Sequence, residues 1–270
     1  MLNAPGGIID LRKPWMVPHA ATDYATKMVA VNPLPSKCPL FTKFLLEIFK
    51  GDLELIGYIQ KVFGYGLTGD TREHAMFFGH GKGANGKGVL LSTIAGIMSD
   101  YCKTANADTF TITNSTQHPT DVASLMGARL VICPEVEQGR RWAEAKIKSL
   151  TGGDRISARF MRQDFFEFTP QFKLFVTGNH KPGLRNVDEA IRRRLNYIPF
   201  TVIIPEANRD PMLAEKLKPE WPGILQWMNQ QMAGRGPETT KSRRGRNPRI
   251  PRKRRHTAEL DRGQMRDQQK

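Results

Sequence analysis

The sequence predicts an α/β protein built on a central, mostly parallel sheet. Three observations predict it. Short apolar runs at 75–78, 129–133, 172–177 and 195–200 alternate with stretches of helical character at 89–98, 144–150 and 188–194. Strands that alternate with helices pair in parallel, because each return to the start of the sheet needs a crossover. A glycine-rich stretch with the pattern GxxxxGK, from Gly81 through Gly86 to Lys87, lies between the first run and the first of these helices. The run at 129–133 is followed by Glu135 and Glu137, at the strand end where open α/β sheets meet their ligands.

The remaining segments follow in order. Residues 1–39 are rich in Gly, Pro and polar groups without a sustained period, and predict an irregular arm. Residues 40–70 predict a small helical unit. Phe41, Phe44, Leu45, Ile48 and Phe49 recur at helical spacing, followed by Leu55, Ile56, Ile59 and Val62. Gly51 and Asp52 divide the unit into two helices. Residues 71–232 hold the α/β core. Within it, 156–168 sets aromatic and β-branched residues on either side of Arg162, Gln163 and Asp164, which predicts a β-hairpin with a polar tip. Residues 233–270 turn to Arg, Lys, Pro, Gly and Thr and predict a basic, disordered tail.

Charge narrows the class of partner. The 270 residues carry a formal net charge of +15, but the last 38 hold 13 of the 41 Lys and Arg against 4 of the 26 Asp and Glu. Nine of the fifteen charges therefore belong to the tail, and the core is only mildly basic. A basic balance favours polyanions such as nucleic acid. Cys38, Cys102 and Cys133 stand far apart with no paired spacing, which argues against a zinc site and fits a reducing compartment. No apolar run has the length of a membrane span, and the start of the chain lacks a signal-peptide pattern. A soluble, intracellular protein is expected, with no membrane partner.

The chemistry centres on the glycine stretch. Glycines let the backbone wrap a phosphate closely, the following helix lends its positive end, and Lys87 can reach the terminal phosphates of a nucleotide. The candidate nucleotide-binding residues are Gly81, Gly83, Ala84, Asn85, Gly86, Lys87, Gly88 and Val89. Gly88 stands where such loops usually carry a Ser or Thr that ligates Mg²⁺. Of Glu135 and Glu137, one can hold Mg²⁺ directly or through water and the other can polarise an attacking water. An acid after a strand is also a common surface feature. Asn179, after the strand at 172–177, suits either a turn or the orientation of water against a phosphate. Arg192, Arg193 and Arg194 spread around a helix, and read either as a basic helix end or as a source of an arginine finger. Arg159 and Arg162 beside Phe160 and Met161 suit either an exposed turn or a loop that grips a nucleic-acid strand.

Taken together, these residues resemble the superfamily 3 helicases, in the branch of phage and plasmid primase–helicases. The likeness begins at Pro5-Gly6-Gly7 and runs through the Ala84-Asn85-Gly86-Lys87 of the loop. It continues in Leu150-Thr151-Gly152-Gly153-Asp154-Arg155 and Thr177-Gly178-Asn179-His180, and reaches Ile191-Arg192-Arg193-Arg194. The resemblance implies an AAA+-like P-loop core that forms a hexameric ring, hydrolyses ATP with Mg²⁺ between subunits and moves on single-stranded or forked DNA. It implies that Lys87 is the Walker A lysine, that Glu135 (with Glu137) is the Walker B acid and metal holder, and that Asn179 is the sensor. Arg193 and Arg194 become the finger candidates, and the hairpin bearing Arg159 and Arg162 lines the channel. Such proteins carry a primase region upstream and a folded helical continuation downstream. The chain is accordingly expected to be a truncated helicase part, with a primase supplied separately. A degenerate prophage remnant that binds ATP and DNA without unwinding is the alternative. A small-molecule kinase would share the loop, but the hairpin, the triple arginine and the basic balance argue against it.

Overall fold

A computed structural model describes residues 1–12, 16–112, 119–134, 140–180 and 189–230. These fall in a unit spanning Met1–Gly234, and the predicted basic tail, 233–270, lies outside the described residues.

The first 39 residues depart from the expected irregular arm. Strands β1 (Leu2–Ala4), β2 (Gly7–Ile9) and β3 (Met16–Val17) form a three-stranded antiparallel sheet. The turn between β1 and β2 is Pro5-Gly6, a strong local turn signal. Gly7 lies so close to β3 that a Cβ there would sit 2.2 Å from the Val17 carbonyl oxygen. Strands of two or three residues are too short to display a period, so the apolar pattern had nothing to reveal them.

Helices α1 (Pro39–Ile48) and α2 (Leu53–Gly66) then form the expected pair. Gly51, at φ 71°, separates them, and the Asp52 carboxylate caps α2 by accepting from Leu55 N at 2.9 Å. Pro39 opens α1, and the Glu220 carboxylate accepts from the Leu40 and Phe41 amides at 2.9 and 2.8 Å. A carboxylate about 180 residues downstream thus satisfies two of the amides that a helix start leaves orphaned.

The core follows as β4 (Met76–His80), α3 (Lys87–Met98), β5 (Cys102–Thr104), α4 (Pro119–Ala123), β6 (Leu130–Cys133) and α5 (Glu144–Gly152). Next come β7 (Ile156–Ala158), β8 (Phe166–Phe168), β9 (Lys173–Gly178), α6 (Glu189–Arg194), β10 (Leu195–Pro199), α7 (Leu213–Lys216) and α8 (Trp221–Gln230). Five strands make one sheet in the order β10-β4-β9-β6-β5, and every neighbouring pair is parallel. Strand β4 is interior, and both its faces are covered. Phe77 points to the side of α1, α2, α3 and α8, whereas Met76 and Phe78 point to the side of α4, α5 and α6. Leu130 and Ile132 alternate with Val131 and Cys133 in the same way. Burial on both faces explains why these strands read as continuous apolar runs.

The helical unit at 40–70 shares its core with the sheet. Phe63 of α2 stacks on Phe175 of β9 at 5.7 Å between ring centres, and Phe41 of α1 meets Trp227 of α8 edge-on at 5.3 Å. Strands β7 and β8 form the expected antiparallel hairpin, joined through 159–165. Among the described residues no helix is long and apolar enough to cross a membrane.

Candidate functional site

The sheet brings three chain segments to one point at its carboxyl edge. Strand β4 runs straight into the glycine loop, and its two neighbours in the sheet are β9 and β10. Pairing persists one step beyond the strands: Gly81 N donates to Gly178 O at 3.4 Å and Phe200 N donates to His80 O at 2.7 Å. The loop therefore lies between the end of β9, with Asn179, and the segment that follows β10.

Two of its glycines are required by space. At Gly81 a Cβ would fall 2.0 Å from the Phe200 carbonyl oxygen and 2.8 Å from Asn85 Nδ2, so only hydrogen fits. Gly86 has φ 79°, and a Cβ there would fall 2.5 Å from Ile48 Cγ2 and 3.0 Å from a Phe44 ring carbon, both on α1. Ala84 also adopts a left-handed φ of 58°, a strained choice for a residue with a side chain. Gly83 and Gly88 are different, because a Cβ at either position would meet no atom within 4 Å. Gly86 is the N-cap of α3, so the helix begins at Lys87 and its positive end faces the loop.

The polar groups of the loop are knitted together. Lys87 Nζ donates to the Gly81 carbonyl and lies 3.4 Å from Asn179 Oδ1. Asn85 is buried, whereas Lys82, Gly83 and Ala84 are exposed. Its amide nitrogen donates to Lys82 O and, at 3.3 Å, to Phe200 O, and its Oδ1 accepts from Lys87 N at 3.3 Å. Ile204 N donates to Ala84 O at 2.7 Å. The structure therefore unites Gly81, Asn85, Gly86, Lys87 and Asn179 in one constellation. Phe44, Ile48, Phe200 and Ile204 belong to it as well; the sequence marked Phe44 and Ile48 only as helix-core positions, and none of the four as a site residue. They act through apolar contact and backbone groups, which leave no motif.

Two further predictions concern carboxylates and a metal. Glu135 and Glu137 lie just past Pro134 and outside the described residues. Gly88 offers no hydroxyl in the first turn of α3, and the Ser92 hydroxyl donates to Val89 O at 3.1 Å within its own helix. The described part of the loop thus lacks the oxygen ligand by which such a helix would hold Mg²⁺.

The arginines of α6 divide. Arg192 and Arg193 are exposed, while Arg194 is buried, with Nη1 donating to Ala190 O at 2.8 Å and Nε to Thr151 Oγ1 at 3.3 Å. The expected pair is therefore not equivalent. Arg194 ties α6 to α5, and only Arg193 of the two projects from the surface. Successive helix residues point about 100° apart, and packing against α5 covers Arg194 rather than Arg193.

At the hairpin, Arg159 and Arg162 are both exposed, and Arg162 has a left-handed φ of 60°. The Arg159 guanidinium lies 4.7 Å from the Phe165 ring centre, and Phe160 stacks on Phe166 at 5.7 Å. Met161 and Phe165 are 65% and 59% exposed, so the tip presents apolar and cationic groups together.

At the opposite, amino edge of the sheet, one cation is half-buried, Arg129, and one is buried, Lys173. Arg129 donates to Leu67 O and Met1 O, each at 2.6 Å, and lies 4.4 Å from the Tyr101 ring centre. Lys173 Nζ donates to Thr68 O, lies 3.0 Å from Thr68 Oγ1 and 4.5 Å from the Tyr65 ring centre. Burial, aided by the Arg129 charge, pushes the Lys173 ammonium down to about 7. Both cations face the carbonyl end of α2, where positive charge is favoured.

The fold and the loop define a mixed α/β protein with a five-stranded parallel sheet and a glycine loop at its carboxyl edge. Comparison with known proteins sharpens this class. Residues 79–194 match a family of unknown function, DUF5906, and residues 1–50 match the D5 N terminal like family. The first match runs from the end of β4 to the end of α6. A protein of Acanthamoeba polyphaga mimivirus provisionally named a helicase is 29% identical over 157 residues, 57% of this chain and 16% of its own length. A Frog virus 3 (isolate Goorha) protein with a like provisional helicase name is 27% identical over 142 residues, 50% of this chain and 14% of its own. The apo structure of the NrS-1 C terminal region in its A form matches with a TM-score of 0.59 at 15% identity, over 78% of this chain and 48% of the other. At that identity the likeness is one of fold. The chain spans about a sixth of the length of its viral relatives and about half of the solved chain.

Proposed function

We propose that the chain is an ATP-driven motor module of a viral or phage replication helicase, of the superfamily 3 primase–helicase kind. The observation that carries this reading is the convergence on Lys87. Its ammonium sits between a carbonyl of the glycine loop and the Asn179 side chain of the adjacent strand end. A nucleotide whose phosphates enter this loop would meet the α3 amides, the Lys87 charge and the Asn179 amide together. The viral likeness and the basic balance of the chain support the replication role.

In this reading ATP binds at 81–89. Asn179 senses the terminal phosphate, and Glu135, with Glu137, supplies the carboxylates that hold Mg²⁺ and polarise water. The chain assembles as a ring, a hexamer, with ATP between subunits, and the exposed Arg193 reaches the neighbouring subunit's phosphates. Arg159 and Arg162 hold single-stranded DNA at the hairpin tip, where Met161 and Phe165 offer surfaces for base stacking.

The test is ATP turnover with and without single-stranded DNA, followed by unwinding of a forked substrate. DNA-stimulated hydrolysis that falls more than about 100-fold in Lys87→Ala is expected, given the several kcal/mol that a phosphate-bound lysine contributes. Wild-type protein that is folded but retains no nucleotide would refute the reading. A second reading, binding of ATP and DNA without unwinding, is favoured by Gly88, which supplies no metal-ligating hydroxyl. It predicts tight nucleotide retention with negligible turnover.

A further inference from the structure

We infer that Asn85 is a positioning residue that holds the glycine loop open in the shape a triphosphate needs. The inference rests on the reading of this loop as a nucleotide site and adds a mechanism for how the loop keeps its form.

Apart from Asn85, the loop is fixed at its ends and middle by Gly81 N to Gly178 O, Lys87 Nζ to Gly81 O and Ile204 N to Ala84 O, while no side chain of the loop but Asn85 is buried. Gly83 touches nothing at its Cβ position, and Lys82, Gly83 and Ala84 are exposed. Two of its residues, Ala84 and Gly86, are left-handed, so the chain here has conformational freedom to lose. Asn85 stands out as only 3% exposed. Its donor end reaches back three residues to Lys82 O and across to Phe200 O at 3.3 Å. Its acceptor end reaches forward to Lys87 N at 3.3 Å. One side chain thus joins the start of the loop, the start of α3 and the segment after β10. No other residue type of this size carries both a double donor and an acceptor. Aspartate would keep the cap on Lys87 N but lose both donor contacts, and would add a negative charge beside incoming phosphates. Serine could keep the i to i+2 cap on Lys87 N but could not span to Phe200 O.

The Lys87 side chain depends on this arrangement. Its Nζ meets Gly81 O, and Gly81 lies so close to the Phe200 carbonyl and the Asn85 amide that a Cβ there would fall 2.0 and 2.8 Å from them. Loosening Asn85 therefore frees the amide that opens α3 and the Lys82 and Phe200 carbonyls that flank Gly81.

Calorimetric titration of ATP and of inorganic tripolyphosphate into the full chain tests this, using wild type, Asn85→Ala and Asn85→Ser, with a ligand-free melt of each. Wild type binds both probes. Asn85→Ala is expected to bind each about tenfold or more weakly, one to two lost hydrogen bonds' worth of positioning. Asn85→Ser should fall between the two, because the cap on Lys87 N survives. Equal loss for ATP and tripolyphosphate places the effect on phosphate positioning. Asn85→Ala that binds ATP as wild type does, or Asn85→Ser no better than Asn85→Ala, overturns the inference. Should Asn85→Ala fail to fold, a several-fold weakening in Asn85→Ser sustains the inference and wild-type affinity in that variant overturns it. Wild type that binds neither probe instead removes the nucleotide reading itself, a result visible before any variant is compared.

Discussion

The two edges of the central sheet are built on opposite plans. At the carboxyl edge the polar groups lie in an exposed loop, glycine is enforced by close backbone contact at Gly81 and by a left-handed turn at Gly86, and Lys87 is held by a network that a ligand can exchange. At the amino edge the cations are turned to fold contacts: half-buried Arg129 to two carbonyls and buried Lys173 to Thr68 and the Tyr65 ring. The more open cavity, about 370 Å³ and lined by Lys27, Tyr101 and Arg129 among others, also lies at the amino edge. We assign the chemistry to the other edge all the same, because convergence of strand ends, helix dipole and exchangeable lysine matters more to a phosphate than volume does. On the proposed reading, the lysine at a strand start secures the fold, whereas the lysine at the helix start after the glycines serves a phosphate.

Substitutions can break this contrast, and the largest effect belongs to Gly81. Gly81→Ala forces a methyl against the Phe200 carbonyl, so nucleotide affinity should fall about 100-fold, as overpacking of about 1–3 kcal/mol displaces the loop. Calorimetry on folded protein would read it, and unchanged affinity would show that the loop is not the site. Arg194→Ala should cost about 2–3 kcal/mol in chemical denaturation, by removing a buried charged donor to Ala190 and Thr151. Arg193→Ala, on the exposed side of the same helix, should leave stability unchanged within about 0.5 kcal/mol and lower turnover instead. Equal stability in both variants would contradict the division of the pair.

Lys173 gives the amino edge a pH signature. Its ammonium loses its proton near 7 when folded and near its ordinary value of 10.5 when unfolded. Between those values the unfolded chain binds more protons, so this group makes stability rise with pH. Above about 9 the thiols of half-buried Cys102 and buried Cys133, both pushed up to about 12 by desolvation, act in the opposite sense. The window for measurement is therefore pH 7 to 9, over which Lys173 should add ~2 kcal/mol. Lys173→Met should flatten that slope; an identical slope in the variant would mean that the amine stays charged. The smallest effect is expected from Gly88→Ser. The position has room for the side chain, and serine suits a helix slightly better than glycine. The variant should fold at least as well as wild type and bind ATP a few-fold more tightly when Mg²⁺ is added, as titrations with and without the ion would reveal.

Much of this molecule is legible along the chain. The break between α1 and α2 follows from Gly51 and Asp52, the apolar runs mark four of the five sheet strands, and the glycine loop is announced by its spacing between a strand and a helix. Residues 102–104 escaped because a three-residue edge strand carries no period. The small sheet at the start of the chain escaped for the same reason, and it is held by burial of Leu2, Ala4, Ile8 and Ile9. The predicted carboxylates Glu135 and Glu137 remain expectations, since they fall outside the described residues.

What the sequence determined by itself is local: helix starts and stops, strand faces, and a loop whose glycines permit the backbone to curl. Those features depend on dihedral freedom and on periodicity within a few residues. Tertiary structure alone decided which of three consecutive arginines is buried, which distant carboxylate caps α1, and that Asn85 would meet Phe200. Each of these depends on groups tens to hundreds of residues apart brought within about 3 Å, and no local pattern records such a meeting.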